Sequence, residues 1–257
     1  MGSYVRLEVD DGVGVVRLDR PPANAIDLQL AMELGDAIGE TAERDDVGAL
    51  VLWGGERIFA AGADVKAIAE WDADEVRPSV DALGAACDLL ESIPKIAIAA
   101  INGAALGGGL ELALGADFRY LGDDAIIGQP EIKIGVIPGA GGTQRLSRLV
   151  GPSRTRDLVY TGRLMRPEEA SSCGIADRVV PAADALPEAI VAARRFANGP
   201  RQALAAAKMA VRAAFVSPGP EGFARERELF LDLFGTPDQR EGMRAFLDKR
   251  EPRFGTR

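Results

Sequence analysis

Two carboxylates stand where acid–base chemistry could use them. Glu111 ends the run Gly107-Gly108-Gly109-Leu110-Glu111, and Glu131 ends Gly128-Gln129-Pro130-Glu131 in the loop after a strand. A glycine run leading into a helix offers backbone N–H groups that lack intrahelical acceptors and carry the positive end of the helix dipole. Glycine lets a ligand oxygen approach those groups closely, so such a turn can supply half of an oxyanion hole. The same run also serves simply to pack a helix tightly against a strand. The segment Phe59-Ala60-Ala61-Gly62-Ala63-Asp64 is a second set of small residues after a strand, ending in a helix-cap residue. It could present another free N–H to the same ligand. Read separately, Asp64 is a cap and Glu131 a solvated loop charge. A Glu within a buried helix is costly, which favours a functional reading of Glu111.

Composition removes the competing chemistries. The 257-residue chain contains no histidine, which excludes Ser-His-Asp and Cys-His nucleophile systems, the HExxH zinc site and a His general base. No metal site is expected. Cys87 and Cys173 are isolated thiols without CxxC spacing, as in a reducing compartment. A net charge of −9 argues against a nucleic-acid or anionic-lipid surface. The Gly107–Gly109 run places Leu112 where GxGxxG needs its last glycine, and Gly139-Ala140-Gly141-Gly142-Thr143 lacks the P-loop lysine. Dinucleotide and P-loop nucleotide binding are therefore not expected. No basic region followed by an apolar run opens the chain, and the expected location is cytoplasmic.

The elements that must position these residues follow an α/β pattern. Tyr4–Val9 and Val13–Leu18 read as strands around Asp11-Gly12, and Asp27 as the cap of a helix with Leu30, Leu34 and Ile38 on its apolar face. Further strands are predicted at Val47–Trp53, Ile96–Ile101, Phe118–Leu121, Ala125–Ile127 and Ile175–Val180. Helical stretches are predicted at Val65–Glu70 and Pro78–Glu91. The apolar run Ile96–Ala116 is nearly long enough for a membrane span. Its Asn102-Gly103 turn, glycine triplet and Glu111 instead predict a buried strand, a turn and a buried helix. After Leu186 the strand signal ends. Helices are predicted at Leu186–Asn198, Arg201–Val216, Glu221–Phe234 and Asp238–Lys249, with Phe223, Phe230, Phe234 and Phe246 concentrated there.

Taken together, IAAINGAALGGGLELALGADF (Ile98–Phe118), FAAGADVK, GQPEI and IPGAGGTQRL resemble the enoyl-CoA hydratase/isomerase (crotonase) superfamily in order and spacing. The resemblance runs from RPPANAI to the terminal FLDKR. It implies an α/β, crotonase-type spiral of ββα turns over residues 1–198, and a C-terminal helical trimerisation region over 199–257. It also implies a homotrimer or a hexameric dimer of trimers. The thioester oxygen would sit between the N–H groups of Ala63 and Gly108, with Glu111 and Glu131 around one water. CoA would cross Ala61, Gly62 and Asp64, with Lys66 and a neighbouring subunit's copy of Lys249 near its phosphates. The family often has a basic residue after the first Arg-Pro; here Pro22 follows Arg20-Pro21, so that phosphate anchor is left unassigned. No cofactor is implied, since coenzyme A is part of the substrate. The implied activity is hydration of 2-trans-enoyl-CoA in fatty-acid or related degradation. The alternatives are an enoyl-CoA isomerase, for which Glu131 alone would suffice, and a noncatalytic acyl-CoA- or RNA-binding relative.

Overall fold

The computed structural model describes residues 4–255; the outer ends of the two expected regions, 1–3 and 256–257, lie outside it. Strands β1 (Val5–Asp10) and β2 (Val13–Leu18) form an antiparallel hairpin. Its turn is Asp11-Gly12, both at positive φ. Helix α1 (Leu28–Glu43) is capped as its sequence predicts: the Asp27 carboxylate accepts from the Leu30 N–H, and Leu30, Leu34 and Ile38 are buried.

The chain then winds through three similar turns. The first comprises β3 (Ala49–Trp53), β4 (Ile58–Ala60), α2 (Val65–Ile68) and α3 (Ala73–Ser92). The second comprises β5 (Ile96–Ile101), β6 (Ala104–Leu106) and α4 (Gly108–Gly115); the third, β7 (Phe118–Gly122), β8 (Ile126–Gly128) and α5 (Gly142–Thr161). After them come β9 (Leu164–Met165), α6 (Pro167–Cys173), β10 (Arg178–Val180), α7 (Ala185–Ala197), α8 (Arg201–Val216), α9 (Pro220–Asp232) and α10 (Pro237–Leu247). Each turn gives its first strand to a six-stranded sheet, β1-β2-β3-β5-β7-β10, and its second to a four-stranded sheet, β4-β6-β8-β9. Strands β4, β6 and β8 pair in parallel. The segments leaving their C-terminal ends therefore emerge side by side, and these segments carry Ala61–Asp64, Gly107-Gly108 and Gln129–Glu131.

Burial on both faces explains why β3 and β5 read as unbroken apolar runs. Leu50 and Leu52 of β3 face a core shared with α1, α3 and α4, whereas Ala49 and Val51 face Ala189, Ala193 and Ala197 of α7. Beyond α7, the buried Lys208 of α8 joins the tail to the core. Its ammonium lies 2.8 Å from Asp117 and donates to the carbonyls of Leu90 and Lys95.

Several elements differ from the sequence-based expectation. The stretch from Ile96 to Ala116 holds a further strand, β6, between its first strand and its helix. Among the described residues, no helix is long and apolar enough to cross a membrane. β4 and β6, at three residues each, are too short to give alternation that a sequence reading can use. Helix α3 begins at Ala73 and carries Pro78 inside it. A capping box starts it: Asp72 accepts from the Asp74 and Glu75 N–H groups, while Glu75 accepts from the Asp72 N–H. Only Arg178–Val180 of the expected Ile175–Val180 strand pairs in the sheet.

Candidate active site

The three neighbouring segments enclose a cavity of about 420 Å³, lined by Ala61, Gly62, Ala63, Gly107, Gly108 and both glutamates, with apolar walls from α3 and residues 134–137. The first segment is held by the loop before α1. Ile26 N–H donates to Gly62 C=O at 2.7 Å, Asp64 N–H to Ile26 C=O at 3.0 Å, and Ala61 N–H to Ala23 C=O at 3.0 Å. The Asn24 amide reinforces this attachment by donating to the carbonyls of Gly54 and Phe59.

Ala63 and Gly108 are different. Among the described residues, neither N–H meets a backbone acceptor. A methyl group placed on Gly108 would lie 4.0 Å from the Ala63 nitrogen, so the two donors border one small space. Glycine is needed nearby for steric reasons. Gly62 has φ +96°, and a Cβ there would stand 2.8 Å from the Leu106 carbonyl oxygen; on Gly107, at φ +51°, it would stand 2.8 Å from Glu131 Oε1.

Glu111 lies in the first turn of α4 and is 3% exposed. One oxygen, Oε1, accepts from the N–H groups of Ala140 at 2.8 Å and Gly142 at 2.7 Å. Burial pushes its pKa up, while these two donors and the Arg145 charge oppose the rise. Glu131 opens the 3-10 turn Glu131–Ile134 and is half-buried, so it is not the solvated loop charge its local sequence allows. Burial, assisted by the Glu111 charge, pushes its carboxyl up to about 7. With its amide oriented to suit its surroundings, the fully buried Gln129 donates to both Glu131 oxygens, at 2.8 and 3.1 Å. Gln129, Ala140 and Gly142 were absent from the sequence-based site. The motifs GQPEI and IPGAGGTQRL contain them, but only the folded chain shows that their amides face the carboxylates.

The remaining expected site residues separate. Asp64 does precede α2, but its side chain makes no cap hydrogen bond. It instead meets Arg20 at 2.8 Å, and this interaction holds its pKa below the usual range. Arg20 also meets Asp27 at 3.0 Å, donates to the Ala25 carbonyl, and lies over the Tyr4 ring. Ala61 and Gly62 line the cavity, but Asp64, Lys66 and Lys249 do not; Lys133 does. Lys66 is exposed on α2, and Lys249 is exposed just after α10.

Known proteins are similar to this chain along nearly its whole length. The sequence profile described as enoyl-CoA hydratase/isomerase matches residues 8–257. The chain belongs to that family. It is 43% identical over 252 residues to a probable enoyl-CoA hydratase of Mycobacterium bovis, covering 97% of each protein. It is 42% identical to the mitochondrial enoyl-CoA hydratase of Pongo abelii, covering 94% of this chain and 83% of that one. A crystal structure of an enoyl-CoA hydratase subunit from Geobacillus kaustophilus superimposes with a TM-score of 0.94 at 40% identity, covering 100% of this chain and 99% of the other. The architecture is thus the crotonase-type spiral, and the chain is an enzyme of the hydro-lyase class that enoyl-CoA hydratases represent.

Replacing Gly108 by Ala tests the paired amides. The added methyl would meet the flexible Leu83 Cδ2 at 2.9 Å, so the fold should adjust while an oxygen between the amides is crowded. The expected result is a fall in kcat of about 10²–10³ with unchanged circular dichroism, the usual effect of losing one oxyanion donor. Wild-type kcat in a folded Gly108→Ala enzyme would contradict this assignment.

Proposed function

We propose that the enzyme adds water across the double bond of a 2-trans-enoyl-CoA to give the 3-hydroxyacyl-CoA, in fatty-acid or related acyl-CoA degradation. The observation that carries this reading is the presence of two carboxylates with different environments in one cavity, beside the unspent Ala63 and Gly108 amides. Attack on Cβ develops negative charge on the thioester oxygen, and those fixed donors stabilise it without reorganising. The Glu111 carboxylate, whose charge two backbone amides support against burial, accepts a proton from the water whose oxygen bonds to Cβ. Glu131, whose carboxyl is pushed up to about 7 and so retains its proton on a large fraction of molecules near neutrality, delivers a proton to Cα. Both carboxylates orient the water, and their single proton returns to Glu131 before the next turnover. Ala61, Gly62 and Asp64 would lie along the CoA moiety, with Lys66 and a neighbouring subunit's copy of Lys249 near its phosphates. No cofactor beyond the substrate's own CoA enters this scheme, and a cytoplasmic location accords with it.

The same reading includes a homotrimer or hexamer assembled through residues 199–257. Phe223, Phe230, Phe234 and Phe246 are all exposed in the single chain, and apolar surface of this extent normally marks an interface. Light scattering should give a trimeric or hexameric mass. Truncation before Glu221 should leave monomer or aggregate with weakened CoA binding; a soluble, fully active monomer would remove the assembly role.

Hydration needs a positioned water, whereas moving a double bond needs only one carboxylate to carry a proton between Cγ and Cα. Glu111→Gln and Glu131→Gln should each lower hydration kcat by orders of magnitude. Glu111→Gln should spare some 3-enoyl to 2-enoyl isomerisation, and Glu131→Gln should abolish both reactions. Intact hydration in Glu111→Gln would overturn the two-carboxylate mechanism.

The shared proton also sets the pH dependence. Glu131 titrates at about 7, so kcat/KM should fall tenfold per pH unit above that value as the pair loses its proton. Dehydration of the 3-hydroxyacyl-CoA should show the same limb, because the two directions share a pH-independent equilibrium constant. A flat profile from about pH 6 to 9 would exclude Glu131 as the proton carrier.

A further inference from the structure

Arg145, in the first turns of α5, is 8% exposed, yet it touches neither glutamate through a hydrogen bond. Its Nη1 donates to the Ala140 carbonyl at 2.8 Å. Its Nε donates to Glu91 at 3.2 Å, and its Nη2 to Asp88, both carboxylates belonging to α3. Ala140 is thereby held at both ends, since its N–H donates to Glu111 Oε1. The backbone is shaped around this contact. Gly141 has φ +105°, and a Cβ there would lie 2.1 Å from Arg145 Nη1, so any larger residue would displace the guanidinium.

We propose that Arg145 is a positioning residue for hydration, anchoring the Ala140 segment to α3 so that its amides fix the Glu111 carboxylate. This rests on the hydratase reading above. The planar guanidinium binds the carbonyl and two carboxylates at once; a lysine ammonium on a flexible stem cannot reproduce that fork. Small errors in placing a reacting group cost large factors in rate, whereas Ala61, Gly62, Asp64 and Lys66, the residues proposed above to lie along the CoA moiety, belong to another segment. The effect therefore belongs in kcat rather than KM.

The test uses the full-length enzyme with Arg145→Lys and Arg145→Ala. Arg145→Lys, which keeps charge and bulk, should lower hydration kcat about 10- to 100-fold with KM within about threefold. Arg145→Ala should lose more and recover part of its kcat in millimolar guanidinium chloride, with oligomer size constant and Tm well above the assay temperature. In a Glu111→Gln background, Arg145→Lys should cost no more than about twofold, because its effect runs through the missing carboxylate. Should Arg145→Ala fail to fold, Arg145→Lys and the double variant carry the test. Hydration kcat within threefold of the parent in folded Arg145→Lys overturns the proposal, as does a full additional loss in the Glu111→Gln background. An inert parent enzyme would defeat the hydratase reading itself, whereas an active parent with indifferent variants defeats only the role of Arg145.

Discussion

Two backbone amides, those of Ala140 and Gly142, converge on one oxygen of a carboxylate that is 3% exposed. An ionised carboxyl group removed from water is destabilised by several kcal/mol unless its environment replaces the lost hydration. Here the replacement comes from the segment entering α5, whose N-terminal amides have no helical acceptors and favour negative charge. This one interaction joins the second turn of the spiral, which carries Glu111, to the third, which carries its donors. It explains why a short helix otherwise made of glycine, alanine and leucine tolerates a glutamate. It also requires the loop before α5 to take a defined path, which the left-handed Gly141 permits.

The paired amides of Ala63 and Gly108 depend on the same stacking of turns. Strands β4 and β6 are only three residues long, yet their parallel pairing brings the segments after them within contact. On one side of Ala63, Gly62 accepts from Ile26; on the other, Asp64 donates to Ile26, so the chain is fixed while the amide between them remains free. Neither segment could form the site alone. The cavity is a property of neighbouring turns, and small residues at Gly62 and Gly107 allow those turns to approach.

How much of this was legible in the sequence depended on the range of each interaction. Local signals served well: Asp27 capping α1, the hairpin turn at Asp11-Gly12, and the apolar strands β3 and β5 all follow from neighbouring residues. Of four positions that line the cavity, Glu111 stood out as a carboxylate inside a buried helix, whereas Ala63, Gly108 and Glu131 were legible only through the resemblance of their motifs to the enoyl-CoA hydratase/isomerase family. What escaped was non-local. Gln129 is adjacent to Pro130 and Glu131 in sequence, but its amide is informative only once it is seen to be fully buried against the Glu131 carboxylate. Asp64 has the local appearance of a cap, and only the arrival of Arg20 from the loop after β2 redirects its charge. The capping box at Asp72 and Glu75 was local and readable, but Pro78 drew the expected helix start away from it.

The absence of histidine gives the placement of Glu131 its significance. An ordinary glutamate is almost wholly ionised at neutral pH and is a poor proton donor there. Burial and the nearby Glu111 charge raise Glu131 to about 7, the range that an imidazole would occupy unperturbed. Burial raises Glu111 as well, but there the Ala140 and Gly142 amides oppose the rise, so the fold gives two chemically identical groups different environments. A proton held by one carboxyl while the other stays ionised requires a different local environment for each, at a distance over which their charges interact. The spiral meets that requirement by drawing Glu111 from inside a helix and Glu131 from the loop of the following turn.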